Sequence, residues 1–336
     1  MIVLDSLVYK PGSTVTGRVH VRIVKQTKFS GVYLNVLGME RVQFIVQHGS
    51  GSTTFLGTNT LIKADTTLVE GGEFKQGEFT FPFTFQLPTG LPGSMEFNCG
   101  RVSDGTSASI SYHVKAVVRV PGFLKSDLRN KSSFAIVQAP PNFETSSLVA
   151  NSESDVRILG CIHRGRAELT LNSPTDSFYT GGLVSVNVSV KNTSKSRIKL
   201  VLELRRALHL STVSREVYRE QVVAKGSGPT VPANSSVENV NITFQIPAKA
   251  SQQCFGFLVK GLYFLRLVGK VSCGKEFHCR VPAFVYHPYA ENPPTIVTDV
   301  SQMMTDGMTT LTLSPPEAIP PPMTIENYRA GNLTRA

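Results

Sequence analysis

The sequence predicts an all-β fold of two tandem antiparallel, immunoglobulin-like β-sandwich lobes followed by a disordered Pro-rich tail. Apolar and polar residues alternate along most of the chain, which is the period of half-buried strands, and no stretch keeps a helical period. Three short sequence blocks occur twice, in the same order. These observations divide the chain into an N-terminal sandwich (1–138), an interdomain linker (139–156), a C-terminal sandwich (157–287) and a tail (288–336).

The repeat begins with an aromatic residue three positions before a glycine. Tyr9-Lys10-Pro11-Gly12 and Phe178-Tyr179-Thr180-Gly181 each lead into a run in which every second residue is apolar or glycine. Two further blocks recur in order, residues 84–88 as 243–247 and residues 112–120 as 263–271. A duplication of this length indicates two related domains rather than a solenoid. We expect superposition of the lobes to place Gly12, Phe85 and Tyr112 on Gly181, Phe244 and Tyr263.

Each predicted strand is an alternating run bounded by turn residues. In the first lobe we expect strands at residues 15–24, 31–37, 41–47, 74–87, 109–120 and 131–138. In the second lobe we expect them at residues 157–171, 183–191, 197–206, 216–224, 237–245, 258–271 and 277–285. The Pro-, Ser- and Asn-rich stretch between the two sets predicts the linker. The tail is rich in Pro, Thr, Met and Ser, which predicts that it packs against no core.

Composition restricts the class of protein. Lys and Arg outnumber Asp and Glu by 34 to 24, a formal net charge of +10, which favours anionic partners such as phosphorylated peptides or acidic lipid headgroups; nucleic acid is not expected. No apolar run reaches the length of a membrane span, and the first residues lack the pattern of a secretion signal. Five cysteines, an odd number, fit reduced thiols. We therefore expect a cytoplasmic protein with no metal site and no cofactor.

The sequence contains no recognisable catalytic motif. It has no nucleophile elbow, phosphate-binding loop, dinucleotide-binding glycine motif or His-Glu-x-x-His zinc motif. Cys161 and His163 are two residues apart, so on a strand they would share a face and could form a thiolate–imidazole pair. A structural cysteine beside a surface histidine is the other interpretation. We expect no enzyme.

Basic residues on two predicted strands form the candidate binding site. If alternate residues of strand 15–24 face the core, Arg18 and Arg22 share its outer face, and Lys115 and Arg119 likewise share the outer face of strand 109–120. Clustered Lys and Arg side chains recognise phosphorylated or acidic segments through charge-assisted hydrogen bonds. The four cations are therefore the candidate site for an anionic partner, with an ordinary solvated surface as the alternative.

Three motifs carry a resemblance to a known family. Tyr9-x-Pro11-Gly12, Leu87-Pro88-x-x-Leu91-Pro92-Gly93 and the run 112–120 are similar to conserved blocks of the arrestin family, in its α-arrestin or arrestin-domain-containing branch. The resemblance covers residues 1–286. It implies two cupped β-sandwich lobes and a non-enzymatic adaptor that binds cytoplasmic tails of membrane proteins and links them to endocytic or ubiquitin machinery. It also implies peripheral association with the plasma membrane or endosomes.

The tail departs from the pattern of this family. Many α-arrestins recruit ubiquitin ligases through Pro-Pro-x-Tyr, but Pro293-Pro294, Pro315-Pro316 and Pro321-Pro322 all lack the tyrosine. We therefore expect no tight binding to WW domains through this tail. Other ubiquitin-ligase or coat components stay candidate partners.

Two alternative functions remain open. A subunit of a retromer-type sorting coat would also have two arrestin-like lobes, although the Pro-Gly opening block favours the α-arrestin branch. A secreted tandem β-sandwich adhesion protein would explain six glycosylation sequons, at Asn130, Asn187, Asn192, Asn234, Asn241 and Asn332. The first residues and the odd number of cysteines argue against secretion.

Overall fold

The computed structural model describes residues 1–49, 51–98, 105–122, 126–138 and 146–288, together with the backbone of residues 309–311. Over this part of the chain every regular element is a β-strand. The strands form four sheets, two in each half of the chain. The predicted all-β fold of two tandem sandwiches is confirmed.

The N-terminal lobe is a sandwich of a smaller and a larger sheet. Its strands are β1 (Ile2–Leu4), β2 (Val8–Tyr9), β3 (Thr14–Ile23), β4 (Thr27–His48), β5 (Gly51–Phe74), β6 (Gly77–Gln86), β7 (Met95–Asn98), β8 (Ser107–Arg119) and β9 (Leu128–Ile136). The smaller sheet contains β1-β3-β6, and the larger has the order β2-β9-β8-β4-β5, with β7 also paired to β8. Val15 and Phe85 from one sheet and Tyr112 and Val114 from the other are buried in the shared core. Because successive side chains of a strand leave opposite faces, the outer faces of the two sheets point in opposite directions.

The C-terminal lobe repeats this arrangement. Its strands are β10 (Leu148–Ile158), β11 (Ile162–Ser173), β12 (Ser177–Tyr179), β13 (Leu183–Asn192), β14 (Ile198–Ser211), β15 (Glu216–Val231), β16 (Ser235–Gln245), β17 (Cys254–Phe255), β18 (Val259–Val271) and β19 (Phe277–Tyr286). One sheet has the order β10-β11-β13-β16, and the other has the order β12-β19-β18-β14-β15, with β17 paired to β18. The second lobe therefore has its own core between two sheets.

The predicted repeat is confirmed at the level of strand register. Phe85 lies opposite Val15, three residues after Gly12. In the second lobe Phe244 lies opposite Val184, which is again three residues after a glycine, Gly181.

Both glycines have a left-handed backbone, with φ of 78° at Gly12 and 81° at Gly181, a conformation that costs a residue with a Cβ. The third pair matches as well. Tyr112 donates its hydroxyl hydrogen to the carbonyl of Pro92 at 2.7 Å, and Tyr263 donates to the carbonyl of Ser251 at 2.5 Å.

The C-terminal lobe begins earlier than predicted. Residues 148–158, most of which were assigned to the linker 139–156, form β10 and pair in register with β11. β10 is an edge strand with one side turned toward the core, where Leu148, Ala150, Val156 and Ile158 lie. Ser152 and Ser154 interrupt this apolar alternation, so the stretch has the composition of a linker. Residues 139–145 lie outside the described part of the chain.

One short segment of the predicted disordered tail pairs with the N-terminal lobe. The backbone of β20 (Thr309–Leu311) runs parallel to Phe83–Phe85 of β6 and extends the smaller sheet at that edge. To this extent the tail has structure. The rest of the tail beyond Pro288, with all three proline pairs, lies outside the described residues.

The two lobes meet through an apolar contact. Leu208, Leu210 and Leu258 of the C-terminal lobe are buried in the same cluster as Val42 and Phe44 of β4. Burial of apolar surface at such a contact holds the lobes together without any covalent constraint. The long strands β4 and β5 are therefore positioned against the end of β14 and the loop before β18 in the other lobe.

Candidate interaction surfaces

The first pair of predicted site residues lies on the smaller sheet of the N-terminal lobe. Arg18 and Arg22 alternate with buried residues on β3 and point outward, as predicted. Each has an acidic neighbour. Arg18 lies 3.7 Å from Asp5, and Arg22 lies 3.7 Å from Glu78.

The second pair lies on the opposite side of the lobe. Lys115 and Arg119 are on β8, in the larger sheet, and point away from the shared core. The structure therefore does not bring the four predicted cations together. The premise of one four-residue site is wrong, because β3 and β8 belong to the two sheets that enclose the core.

The outer face of the larger sheet holds a different cluster of cations. Lys115 lies directly opposite Lys131 of β9. Two strands away from β8, Lys63 of β5 lies opposite Leu37 of β4, and Arg41 of β4 points to the same side. We call Arg41, Lys63, Lys115 and Lys131 the lysine face. Among the described residues, no carboxylate forms an ion pair with any of these four side chains.

His113 lies among the residues of the lysine face, and their charges affect the pKa of its imidazole. It pairs with Leu37 of β4, which in turn pairs with Lys63, so it lies two strands from Lys63 and two residues from Lys115. Burial lowers the pKa of His113 from its ordinary value, and the nearby charges of Lys131, Arg41 and Lys115 lower it further. His113 therefore adds no charge of its own to this surface near neutral pH.

Sequence reasoning found Lys115 but missed the other three members. Lys131, Lys63 and Arg41 lie on strands that pair with β8 directly or through β4, and that pairing is a long-range property. The outward direction of these three side chains follows from the alternation along each strand. Their proximity to Lys115 depends on which strands pair, and the local sequence does not show that.

Arg119 is not a member of the lysine face and contacts an aromatic ring instead. Its guanidinium carbon lies 4.7 Å from the ring centroid of Tyr33, on β4. A cation over an aromatic face is held by the ring quadrupole. Arg119 is thus partly occupied in joining β8 to β4.

Three exposed apolar side chains lie around the contact between the lobes. Leu56 of β5 is 69% exposed, Phe257 in the loop before β18 is 53% exposed, and Val213 at the tip of the β14–β15 hairpin is fully exposed. We call these three residues the junction patch.

The chain neighbours of these three residues lie close to one another. A Cβ placed on Gly57, next to Leu56, would lie 3.3 Å from Cγ2 of Thr212 and 3.4 Å from Cδ1 of Leu258. Thr212 precedes Val213, and Leu258 follows Phe257. Segments from both lobes that carry exposed apolar side chains therefore lie next to each other.

A shallow groove of about 470 Å³ lies where β7 and β9 meet β8. Its polar lining is mostly hydroxyl groups, from Ser94, Ser109, Ser111, Ser133 and Ser251, and no member of the lysine face lines it. Glu96 also contributes to its wall.

The described residues hold no arrangement that favours covalent or metal chemistry. Nε2 of His163 lies 3.3 Å from Asp155, whereas the thiol of Cys161 is directed to the carbonyl of Leu159. Burial raises the pKa of the thiols of Cys254 and Cys279 to about 12, so neither is a thiolate at neutral pH. No group of three metal-ligating side chains occurs in the described ranges. The same ranges contain no helix suited to crossing a membrane.

Comparison with known proteins agrees with the fold. Residues 1–140 match the family model of the arrestin (or S-antigen) N-terminal domain, and residues 163–289 match that of the arrestin C-terminal domain. Arrestin domain-containing protein A of Dictyostelium discoideum is 24% identical over 238 residues, which cover 65% of this chain and 40% of that protein. Arrestin domain-containing protein 1 of Rattus norvegicus is 23% identical over 233 residues, covering 68% of this chain and 50% of its own length.

A further relative, Arrestin-C of Aquarana catesbeiana, is 27% identical over 183 residues, 52% of this chain and 44% of that protein. The chain thus spans about half the length of the relatives it matches or less. Matches to both domain models, in the order in which the two sandwiches occur, show that this chain belongs to the arrestin family.

Proposed function

We propose that this protein is a non-enzymatic adaptor in membrane-protein trafficking and endocytosis, which binds cytoplasmic segments of membrane proteins through the junction patch. It would act in the cytoplasm and associate peripherally with the plasma membrane or endosomes. Family membership supports a general adaptor role. The identity of the cargo does not follow from it.

The exposed junction patch is the observation that carries the proposal. Leu56 is on β5 of the N-terminal lobe, and Val213 and Phe257 are in two loops of the C-terminal lobe, yet their chain neighbours lie close together. Exposed apolar side chains gathered at one place mark interaction sites, because their burial by a partner removes apolar surface from water. A partner seated there would contact both lobes at once.

The connection to ubiquitin ligases or coat components is part of the same proposal. None of the three proline pairs of the tail is followed by the tyrosine that WW domains prefer. We therefore propose that any ligase or coat is reached through another surface or another protein. Nucleic acid is not proposed as a partner.

The experiment compares two triply substituted proteins in cells. One carries Leu56→Ser, Val213→Ser and Phe257→Ser. The control carries Leu7→Ser, Val24→Ser and Leu128→Ser, which replace exposed apolar residues elsewhere. Proximity labelling would identify the membrane proteins near each form, and titration of their cytoplasmic tails as synthetic peptides would measure direct binding.

We expect wild type and the control to label the same membrane proteins and to bind their tails, and the junction variant to do neither. Similar urea midpoints for all three would show that folding is intact, since surface changes usually alter stability by less than about 0.5 kcal/mol. Equal labelling and equal tail binding by the junction variant would disprove the proposed role of this patch.

A further inference from the structure

We propose that the lysine face of the N-terminal lobe binds an anionic lipid surface. The face consists of Arg41, Lys63, Lys115 and Lys131 on the outer side of the larger sheet. Leu56 of the junction patch lies on the same side of the sheet, near Arg41, whereas Val213 and Phe257 belong to the other lobe. The inference does not depend on the proposed adaptor function. It rests on the charge pattern of the sheet alone.

The cross-strand pair Lys115–Lys131 lowers the stability of the folded lobe. The two residues are directly opposite on β8 and β9. Like charges at opposed positions of a sheet destabilise it, and no described carboxylate pairs with either lysine. On the smaller sheet, by contrast, Arg18 and Arg22 each have an acidic neighbour. An external anion would relieve the repulsion on the larger sheet, whereas the smaller sheet already supplies its own counter-charges.

Few carboxylates lie on the outer side of the larger sheet. Asp65 of β5 is two residues from Lys63 on the same side and accepts a hydrogen bond from the side-chain amide of Asn35. Glu96 of β7 lies opposite Ser109, which in turn lies opposite Arg41. Asp127 pairs with Arg129 at 3.3 Å. Glu70 lies opposite Gly31, at the end of the sheet away from Arg41. The four cations of the lysine face outnumber the carboxylates beside them, so its net charge is positive.

The spacing of the cations favours a broad anion over a single group. Lys63 and Lys131 are three strands apart, which is about 14 Å at the usual strand separation. One phosphate group cannot bridge that distance. A surface that carries many headgroups can meet all four side chains together.

Shape and residue type also favour a lipid surface over a peptide. The cations stand on the open side of a sheet and do not line the neighbouring hydroxyl groove, so a peptide would find no walls there. Three of the four are lysines. Lysine is a flexible point charge suited to a diffuse anionic surface, whereas arginine supplies the rigid fork that grips individual phosphates.

The test compares two doubly substituted proteins of equal net charge. Lys115→Ala with Lys131→Ala removes two cations of the lysine face, and Arg18→Ala with Arg22→Ala removes two from the opposite face. Binding of the full chain is titrated with vesicles of phosphatidylcholine and phosphatidylserine in a three-to-one ratio, and with vesicles of phosphatidylcholine alone. Each titration is run at low and at physiological salt.

We expect wild type and the Arg18/Arg22 variant to bind the phosphatidylserine vesicles alike. The Lys115/Lys131 variant should bind about 30-fold more weakly, since each lysine near an anionic membrane contributes about fivefold. Binding should weaken with salt, because exposed charges are screened over about 8 Å at physiological ionic strength.

Equal losses in both variants would show a general charge effect and overturn the proposal, as would undiminished binding of the Lys115/Lys131 variant. A soluble phosphoserine peptide that binds wild type but not this variant, together with no binding of wild type to the vesicles, would assign the face to peptides instead. Val213→Ser with Phe257→Ser, two changes of the junction patch that lie in the other lobe, should leave vesicle binding normal, so failure of one proposal is distinguishable from failure of the other.

Discussion

The carboxylate of Glu40 in the N-terminal lobe accepts the backbone N–H of Leu258 in the C-terminal lobe at 3.2 Å. The same oxygen, Oε2, also accepts the backbone N–H of Phe257 at 3.1 Å and the side-chain amide of Asn59 at 3.0 Å. Glu40 is completely buried, and its other oxygen has no hydrogen-bond partner among the described residues. A single buried carboxylate thus holds the loop that carries Phe257 of the junction patch.

Replacing Glu40 with Gln should change how stability depends on pH. Burial raises the pKa of Glu40 above its ordinary value of 4.5, and hydrogen bonds from Asn59, Leu258 and Phe257 oppose that rise in part. Because the folded state holds the proton more tightly than the unfolded state, the contribution to stability is present below 4.5 and is lost as the pH rises through the folded pKa.

Urea midpoints should be measured from below pH 4.5 to above the raised pKa of folded Glu40. They should fall with rising pH more steeply for wild type than for Glu40→Gln. Glu78→Gln is the matched control, because Glu78 is exposed at the surface. It should leave the slope unchanged. Parallel pH profiles for wild type and Glu40→Gln would contradict the prediction.

Gly256→Ala should strain the junction by collision with Glu40. A Cβ on Gly256 would lie 1.7 Å from Oε1 of Glu40 and 2.9 Å from the carbonyl oxygen of Val259. Overpacking of this kind costs about 1–3 kcal/mol. Glu40→Ala removes the nearer obstacle, so Gly256→Ala should cost less in that background.

A double-mutant cycle on urea unfolding measures this coupling. We expect an interaction energy of at least about 0.5 kcal/mol, as for residues in contact. Gly51→Ala, where an added Cβ meets only a carbonyl oxygen at 3.8 Å, serves as the control and should be nearly neutral. Additive costs for Glu40→Ala and Gly256→Ala would show that the two positions do not interact.

Lys131→Glu should stabilise the N-terminal lobe. It converts the like-charge pair with Lys115 into an opposite-charge pair, which contributes about 0.2–1 kcal/mol on a sheet. Lys131→Gln removes only the repulsion and should give a smaller gain. Urea unfolding of the three proteins at low salt measures the order, and a Glu variant less stable than the Gln variant would refute it.

Truncation after Pro288 should expose the edge of β6. The backbone of Thr309–Leu311 pairs with Phe83–Phe85, so its removal frees main-chain groups of that edge. We expect faster hydrogen exchange at residues 83–85. Phe244 of β16, the equivalent position in the second lobe, provides an internal reference whose exchange should stay the same. Identical exchange at residues 83–85 in both proteins would count against a stable strand pair in solution.

The duplicated architecture was readable in advance because it depends on local pattern. Val15, Val19 and Val21 face inward for the same reason as their counterparts after Gly181, and alternation along a strand is a property of neighbouring residues. The left-handed turn at each glycine is equally local. In β10 the apolar alternation is interrupted at Ser152 and Ser154, so the local pattern does not predict a strand there.

Which residues share a surface depends on the tertiary structure. By itself, the sequence determined two lobes, their repeated blocks and the outward direction of Arg18 and Lys115. It did not determine that these two residues lie on opposite sides of one lobe, since sheet membership depends on pairing between distant strands. Likewise the segments that carry Leu56 and Val213 lie next to each other only because the lobes pack against each other. Such contacts join residues far apart in the chain, and no local period encodes them.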